Sequence, residues 1–62
     1  MSVDTITVAN SVFFAVEDAL DHWEHDGLCA HIAQSGATEA IIEVTNGQCF
    51  RLKVEEIIGE RT

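Results

Sequence analysis

The dipeptide Asn46-Gly47 sits inside "TEAIIEVTNGQCFRLKVEEI", between two runs rich in apolar and β-branched residues, and allows this stretch little besides a β-hairpin. Asn and Gly tolerate the positive φ that tight hairpin turns require, and side chains alternate between two faces along each flanking run. Parity then decides the register. A loop of Asn46 and Gly47 alone sets Glu43 opposite Phe50 and Ile42 opposite Arg51, mixing charge into the apolar set Ala40, Ile42 and Val44. A longer loop, Thr45-Asn46-Gly47 with Gly47 in the bulge position, pairs Ile42 with Phe50 and Ala40 with Leu52 on one face. The same register puts Glu39 beside Lys53 and Ile41 beside Arg51 on the other face, with Arg51 diagonal to Glu43. The bulged hairpin keeps one face apolar and is the predicted form.

Upstream, "TITV" at residues 5 to 8 alternates Thr with Ile and Val and predicts a short N-terminal strand, after which Asn10 or Ser11 offers a helix N-cap. Val12, Val16, Ala19, Leu20 and Trp23 follow a helical spacing and predict a long amphipathic helix ending before Gly27. Asp26 and Gly27 close it, and Asp26 also caps a second short helix in "LCAHIAQ", where Leu28 and Ile32 share a face and Gly36 supplies the stop. The expected fold class is α+β. One long amphipathic helix and a short second helix pack on an antiparallel sheet made of the C-terminal hairpin and the short N-terminal strand.

The whole chain, residues 1–62, reads as a single compact acidic domain. At this length only about 60 % of the unfolded surface is hidden on folding, so the core is thin and a deep substrate pocket is not expected. Apolar residues make up 47 %, too many for a disordered acidic tail, while eleven carboxylates against three basic residues give a formal charge of −8. That charge repels nucleic acid and anionic membrane and attracts basic surfaces, including those whose usual ligand is nucleic acid. "MSVDTITVAN" lacks a secretory pattern and no run approaches the ~20 apolar residues of a membrane span, so the expected location is cytoplasmic. Cys29 and Cys49 fit neither a secreted disulfide framework nor a CxxC pair; they read as two reduced, buried thiols, with a bridge between second helix and hairpin as the alternative.

Most of the charge falls in "EDALDHWEHD". Rotating about 100° per residue from Val12, the residues Val12, Val16, Ala19 and Trp23 lie within about 40° of zero, and Glu17, Asp18, Asp21 and Glu24 occupy an arc of about 120° to 240°. Glu17 to Asp21 rises about 6 Å along the axis, on the order of two phosphate steps of about 3.4 Å on one DNA strand. Any amphipathic helix needs a wet face. This one, however, contains no Lys or Arg to form i,i+4 pairs, and Glu24 and Asp26 stand near the C-terminal end, where the macrodipole disfavours anions by ~0.3–1 kcal/mol each. Phe14 falls near about 200°, inside the acidic arc, and is either an interface anchor or a core residue stapled to Ala9 or tucked beneath the N-terminal strand.

Other chemistry finds less footing. His22, His25, Cys29 and His31 permit a zinc site to be drawn, but with no recognised ligand spacing, and His22 and His25 are better read as partners of Asp18 and Asp21 four residues earlier. Cys29 with His31, or Glu17 with Asp21, lack an oxyanion hole, an orienting third group and a wall against water, so no enzyme, cofactor or metal is predicted. Direct nucleic-acid binding is not expected, since only Arg51, Lys53 and Arg61 could meet phosphate.

Size, acidity and the helix-with-hairpin outline, over all 62 residues, resemble the anti-CRISPR proteins of phages and other mobile elements. The chain looks most like a small inhibitor of a type I system, subtype I-C included, and also resembles acidic DNA mimics that act on restriction, repair or chromatin proteins. The resemblance implies a stoichiometric inhibitor that binds the DNA-contacting surface of a surveillance complex and blocks target recognition; it transfers no residue roles. The expected contact is a ridge of Glu17, Asp18, Asp21 and Glu24 with Phe14, and a second patch of Glu55, Glu56 and Glu60, presented to a basic nucleic-acid-binding protein by a monomer. The alternative is a protein–protein interaction or self-associating regulatory module that uses Ile41, Cys49 or Phe14, its acids serving solubility alone.

Overall fold

The computed structural model describes residues 2–57 and has the α+β architecture, one helix followed by a three-stranded antiparallel sheet. Helix α1 spans Thr5–Asp21; strands β1 (Ala30–Ser35), β2 (Glu39–Val44) and β3 (Cys49–Lys53) lie side by side in chain order.

The β2–β3 hairpin has the bulged register: Glu39 faces Lys53, Ala40 faces Leu52, Ile41 faces Arg51 and Ile42 faces Phe50. The Val44 N–H donates to the Gln48 carbonyl at 2.8 Å, closing a loop of Thr45, Asn46 and Gly47, and Gly47 takes φ +101°. The Asn46 side chain braces the loop by accepting from the Gln48 N–H at 3.0 Å. A Cβ on Gly47 would meet nothing within 4 Å, so Gly47→Ala tests backbone strain alone. It should cost about 1–2 kcal/mol. Thermal melts should show Tm lowered by about 4–8 °C for each of those kcal/mol.

The N-terminal segment corrects the strand expected at residues 5 to 8. Thr5 to Val8 form the first turn of α1, and the cap is Asp4, not Asn10 or Ser11. Asp4 is extended (φ −78°, ψ 157°), its carbonyl accepts from the Val8 N–H at 3.2 Å, and its carboxylate accepts from Thr7 Oγ1 at 2.7 Å. The reason is packing: Thr5, Ala9, Val12, Phe13, Val16 and Leu20 are the residues of α1 that are not exposed, and they run at i, i+4, i+7, i+8, i+11 and i+15. Four alternating residues cannot outweigh a stripe of that length.

The helix also stops early. His22 and Trp23 donate to Ala19 and Leu20 at 3.2 and 3.1 Å, a tightening to i→i−3 bonds that ends α1 at Asp21. Asp26 and Gly27 neither close a helix nor cap one. With φ of 52° and 79° they form the two-residue turn of a minimal hairpin, in which His25 and Leu28 exchange both backbone hydrogen bonds, at 3.1 and 2.9 Å.

Nor is "LCAHIAQ" helical. Leu28, Ala30 and Ile32 are half-buried while Cys29 and His31 are exposed, the period-two pattern of an edge strand, and β1 pairs His31 with Glu43 and Ile32 with Ile42. The register shifts between Ile32 and Gln34, so Ala33 forms a bulge.

One sheet face takes the helix. Ala9, Phe13 and Ala40 are buried together, with Val12, Ile32, Leu52 and Val54 packed around them, and Val44 is buried too. This burial turns the helix about 50° from the expected orientation: Phe13 points to the centre, whereas Ala19 and Trp23, expected in the core, are exposed. Trp23 stacks on His25 with ring centroids 6.4 Å apart. Cys29 and Cys49 are free and exposed, not buried. No described helix is long and apolar enough to cross a membrane.

Candidate partner-binding site

The rotation of α1 settles which side chains face outward. Relative to the buried stripe, Phe14 and Asp18 lie nearly opposite the core, Asp21 lies beside them, and Glu17 borders the sheet. Phe14, Glu17, Asp18 and Asp21 are spaced i, i+3, i+4, i+7 and so form one face. All four are exposed, Phe14 by 74 % of its surface. The core readings of Phe14 are thereby corrected: the residues expected to form a covering strand are the start of α1 itself, and Phe13 takes the buried place.

Glu24 is exposed but lies beyond the end of α1, so the helical ridge holds three carboxylates, with Glu24 continuing it on the connecting segment. None of the four makes an ion pair with a described residue; the ion pairs among described residues are His25–Asp26, His31–Glu43 and Lys53–Glu55. The expected pairing of His22 and His25 with Asp18 and Asp21 is corrected here. His22 Nδ1 lies 3.3 Å from the Asp18 carbonyl oxygen, and His25 Nε2 lies 3.4 Å from Asp26 Oδ2. Asp18 and Asp21 also occupy the last turn of a helix with no basic residue there, the end at which anions cost ~0.3–1 kcal/mol each.

The second patch lies elsewhere. Glu55 and Glu56 line a shallow apolar hollow of about 210 Å³ with Val3, Thr5, Val8 and Val54, beside the start of α1. Val8 at its near edge lies six residues, roughly 9 Å of helical rise, before Phe14, and the hollow and the ridge share no lining residue. Lys53 Nζ reaches Glu55 Oε1 at 3.5 Å rather than Glu39 opposite it, and carboxylates beside a helix N-terminus are favoured by the macrodipole. Glu55 and Glu56 therefore have a structural reason to be acidic that the ridge lacks. Glu60 lies outside the described residues.

Between the ridge and β1 runs a groove of about 350 Å³, which the sequence reading missed because it assigned β1 to a helix. Phe13 and Ile32 form its floor, Asn10, Phe14 and Glu17 one wall, and the bulged stretch Ala33 to Gly36 the other. The period-two alternation of Leu28, Ala30 and Ile32 was the available signal for it.

Among the described residues no three His, Cys, Asp or Glu side chains gather as a metal ion would need. Set against known proteins, the chain matches no family model and has no significant match to a curated protein or a solved structure.

Proposed function

We propose that this chain is a binding inhibitor of the anti-CRISPR kind: it lays the outer face of α1 on the DNA-contacting surface of a type I surveillance complex and keeps target DNA away. One observation supports the reading above the rest. Glu17, Asp18 and Asp21 stand exposed beside an exposed phenyl ring, without a described cationic partner, and Asp18 and Asp21 do so at the helix end that disfavours them. Stability does not select that arrangement. A polyanion-binding surface supplies the missing cations, the accumulated charge of −8 speeds the encounter, and Phe14 adds apolar contact that a purely electrostatic face lacks.

The direct test is plasmid interference. In a bacterium whose type I system, I-C first, destroys a targeted plasmid, expression of the chain should restore transformation to the level of an untargeted plasmid. No restoration in any type I subtype would remove the proposal. Affinity capture from the same cells should recover the effector complex at low salt and lose it at high salt, since charge steering weakens once the Debye length drops towards about 3 Å at 1 M.

A second reading draws on the hairpin. Phe50 lies on the helix-side face of β3 yet is 51 % exposed, and β3 is an edge strand among the described residues, so a partner protein or a second copy has a strand with an exposed aromatic ring to add to. Under that reading Phe50→Ser abolishes association, changes at Ile41 or Cys49 on the opposite sheet face do not, and substitutions on the ridge leave it unaffected.

A further inference from the structure

We infer that the groove between α1 and β1 is a receptor for one arginine side chain of the partner protein. The inference rests on the proposed use of the ridge and names what that site recognises. Its lining is the first argument: an open groove of about 350 Å³ has the Phe14 ring on the helix side and the bulged edge of β1 on the other, so a side chain laid in it from solvent meets an aromatic ring. Its chemistry is the second. Glu17 supplies a carboxylate, Asn10 and Gln34 supply amide oxygens and Ser35 a hydroxyl, and none of the described residues lining the groove is Lys or Arg. The Thr45 N–H donates to the Cys29 carbonyl at 2.9 Å, so Cys29 and then His31 face β2, and alternation turns the backbone groups of Ile32 outward to the free edge. An acceptor-rich slot beside a ring suits guanidinium, which has five donors in one plane and stacks on aromatic faces, better than the compact ammonium of lysine. Phe14 and Glu17, one helical turn apart, are placed to hold the stack and the ion pair together.

The Ala33 bulge contributes to this. It shifts the register so that Gln34, not Ala33, faces Ile41, and twists the edge at the point where it borders the groove. A bulged edge resists strand addition, which leaves the slot to side chains rather than to a partner β-strand.

The test needs no knowledge of the partner. Amide spectra of the ¹⁵N-labelled protein are followed while Nα-acetyl-arginine methylamide is added, with the lysine and citrulline derivatives as comparisons. The arginine derivative should shift the amides of Asn10, Phe14, Glu17, Gln34 and Ser35 in a saturable way; the citrulline derivative, alike in shape but neutral, should not, and lysine should bind several-fold more weakly. Phe14→Ala should weaken arginine binding by roughly two- to fivefold, the range of an exposed cation–π contact, and Glu17→Gln should weaken it further. Equal responses to arginine and lysine, or shifts spread over Glu24, Asp26, Glu43 and Glu56 alike, would overturn the inference. A positive titration alongside failed plasmid interference keeps the arginine site and discards the CRISPR target; a silent groove alongside successful interference does the reverse.

Discussion

Reversing Glu17, Asp18 and Asp21 to lysine together is expected to abolish the restoration of plasmid transformation while making the protein more stable. The two effects arise from the same three side chains, and their opposite signs give the prediction its force. At an interface with a basic groove, close charge pairs couple by about 1.5 kcal/mol or more each, so three lost pairs amount to at least about 4.5 kcal/mol, on the order of a 10³-fold loss of affinity before repulsion is counted. In the free protein the same change removes two anions from the last turn of α1 and puts cations there, where the macrodipole favours them by ~0.3–1 kcal/mol each. Tm should therefore rise by a few degrees. Circular dichroism melts check the fold, and transformation counts check the function. A triple variant that still inhibits at full strength would take the ridge out of the mechanism, and one that fails to fold would show that these carboxylates have a structural task no described contact reveals.

The outcome also separates the acidic face as a device from the acidic face as a solvated surface. Exposed charges that serve solubility alone are interchangeable with others of either sign, and a substitution there stays within about 0.5 kcal/mol of stability. The same reversal at Glu55 and Glu56 provides the contrast. Those residues flank the N-terminal end of α1, and Glu55 holds Lys53, so reversing them should lower Tm without touching inhibition.

What the sequence disclosed, and where it misled, follows from how far each pattern extends. The hairpin was legible down to residue pairs because Asn46-Gly47 and the parity of two strands over-determine the register, leaving one solution with a clean face. The exposure of the acidic residues was legible because five carboxylates in "EDALDHWEHD" cannot be buried without partners, although Glu24 falls beyond the end of α1. Three short signals failed for one reason. Thr5 to Val8 alternate, but in so few residues a period of 2 is not separable from a period of 3.6. Leu28 and Ile32, four apart, share a face in a helix and in a strand alike, and the decisive residue was Ala30 between them. Asp26-Gly27 carries the same turn preference as Asn46-Gly47, but without a recognised strand on either side it read as a helix stop. Once β1 is a strand, the groove beside Phe14 exists; while it was a helix, there was nothing for Glu17 to border.

The rotation of α1 makes the second large prediction, a contrast between adjacent phenylalanines. Phe13→Ala should be close to unfolding, and Phe14→Ala should leave stability nearly untouched. Phe13 is 7 % exposed and packs with Ala9 and Ala40 at the one place where helix and sheet exclude water, whereas Phe14 points to solvent. Truncating a buried Phe costs about 3–5 kcal/mol, counting the lost transfer energy and the cavity left behind. A chain of 62 residues has only about 3–9 kcal/mol in all. Few other large residues share the load, because the buried set among described residues is Ala9, Phe13, Ala40 and Val44. The Phe13 variant should thus lose its cooperative thermal transition or melt at least about 12 °C lower, while the Phe14 variant stays within about 0.5 kcal/mol of the parent. Binding should show the reverse order. Folded Phe14→Ala protein should inhibit less well than the parent, because its ring belongs to the face turned towards the partner. If Phe14 rather than Phe13 proved essential to the fold, α1 would have to turn by about one residue, or 100°, Glu17 and Asp21 would turn in towards the sheet, and the ridge and the arginine groove would fall together.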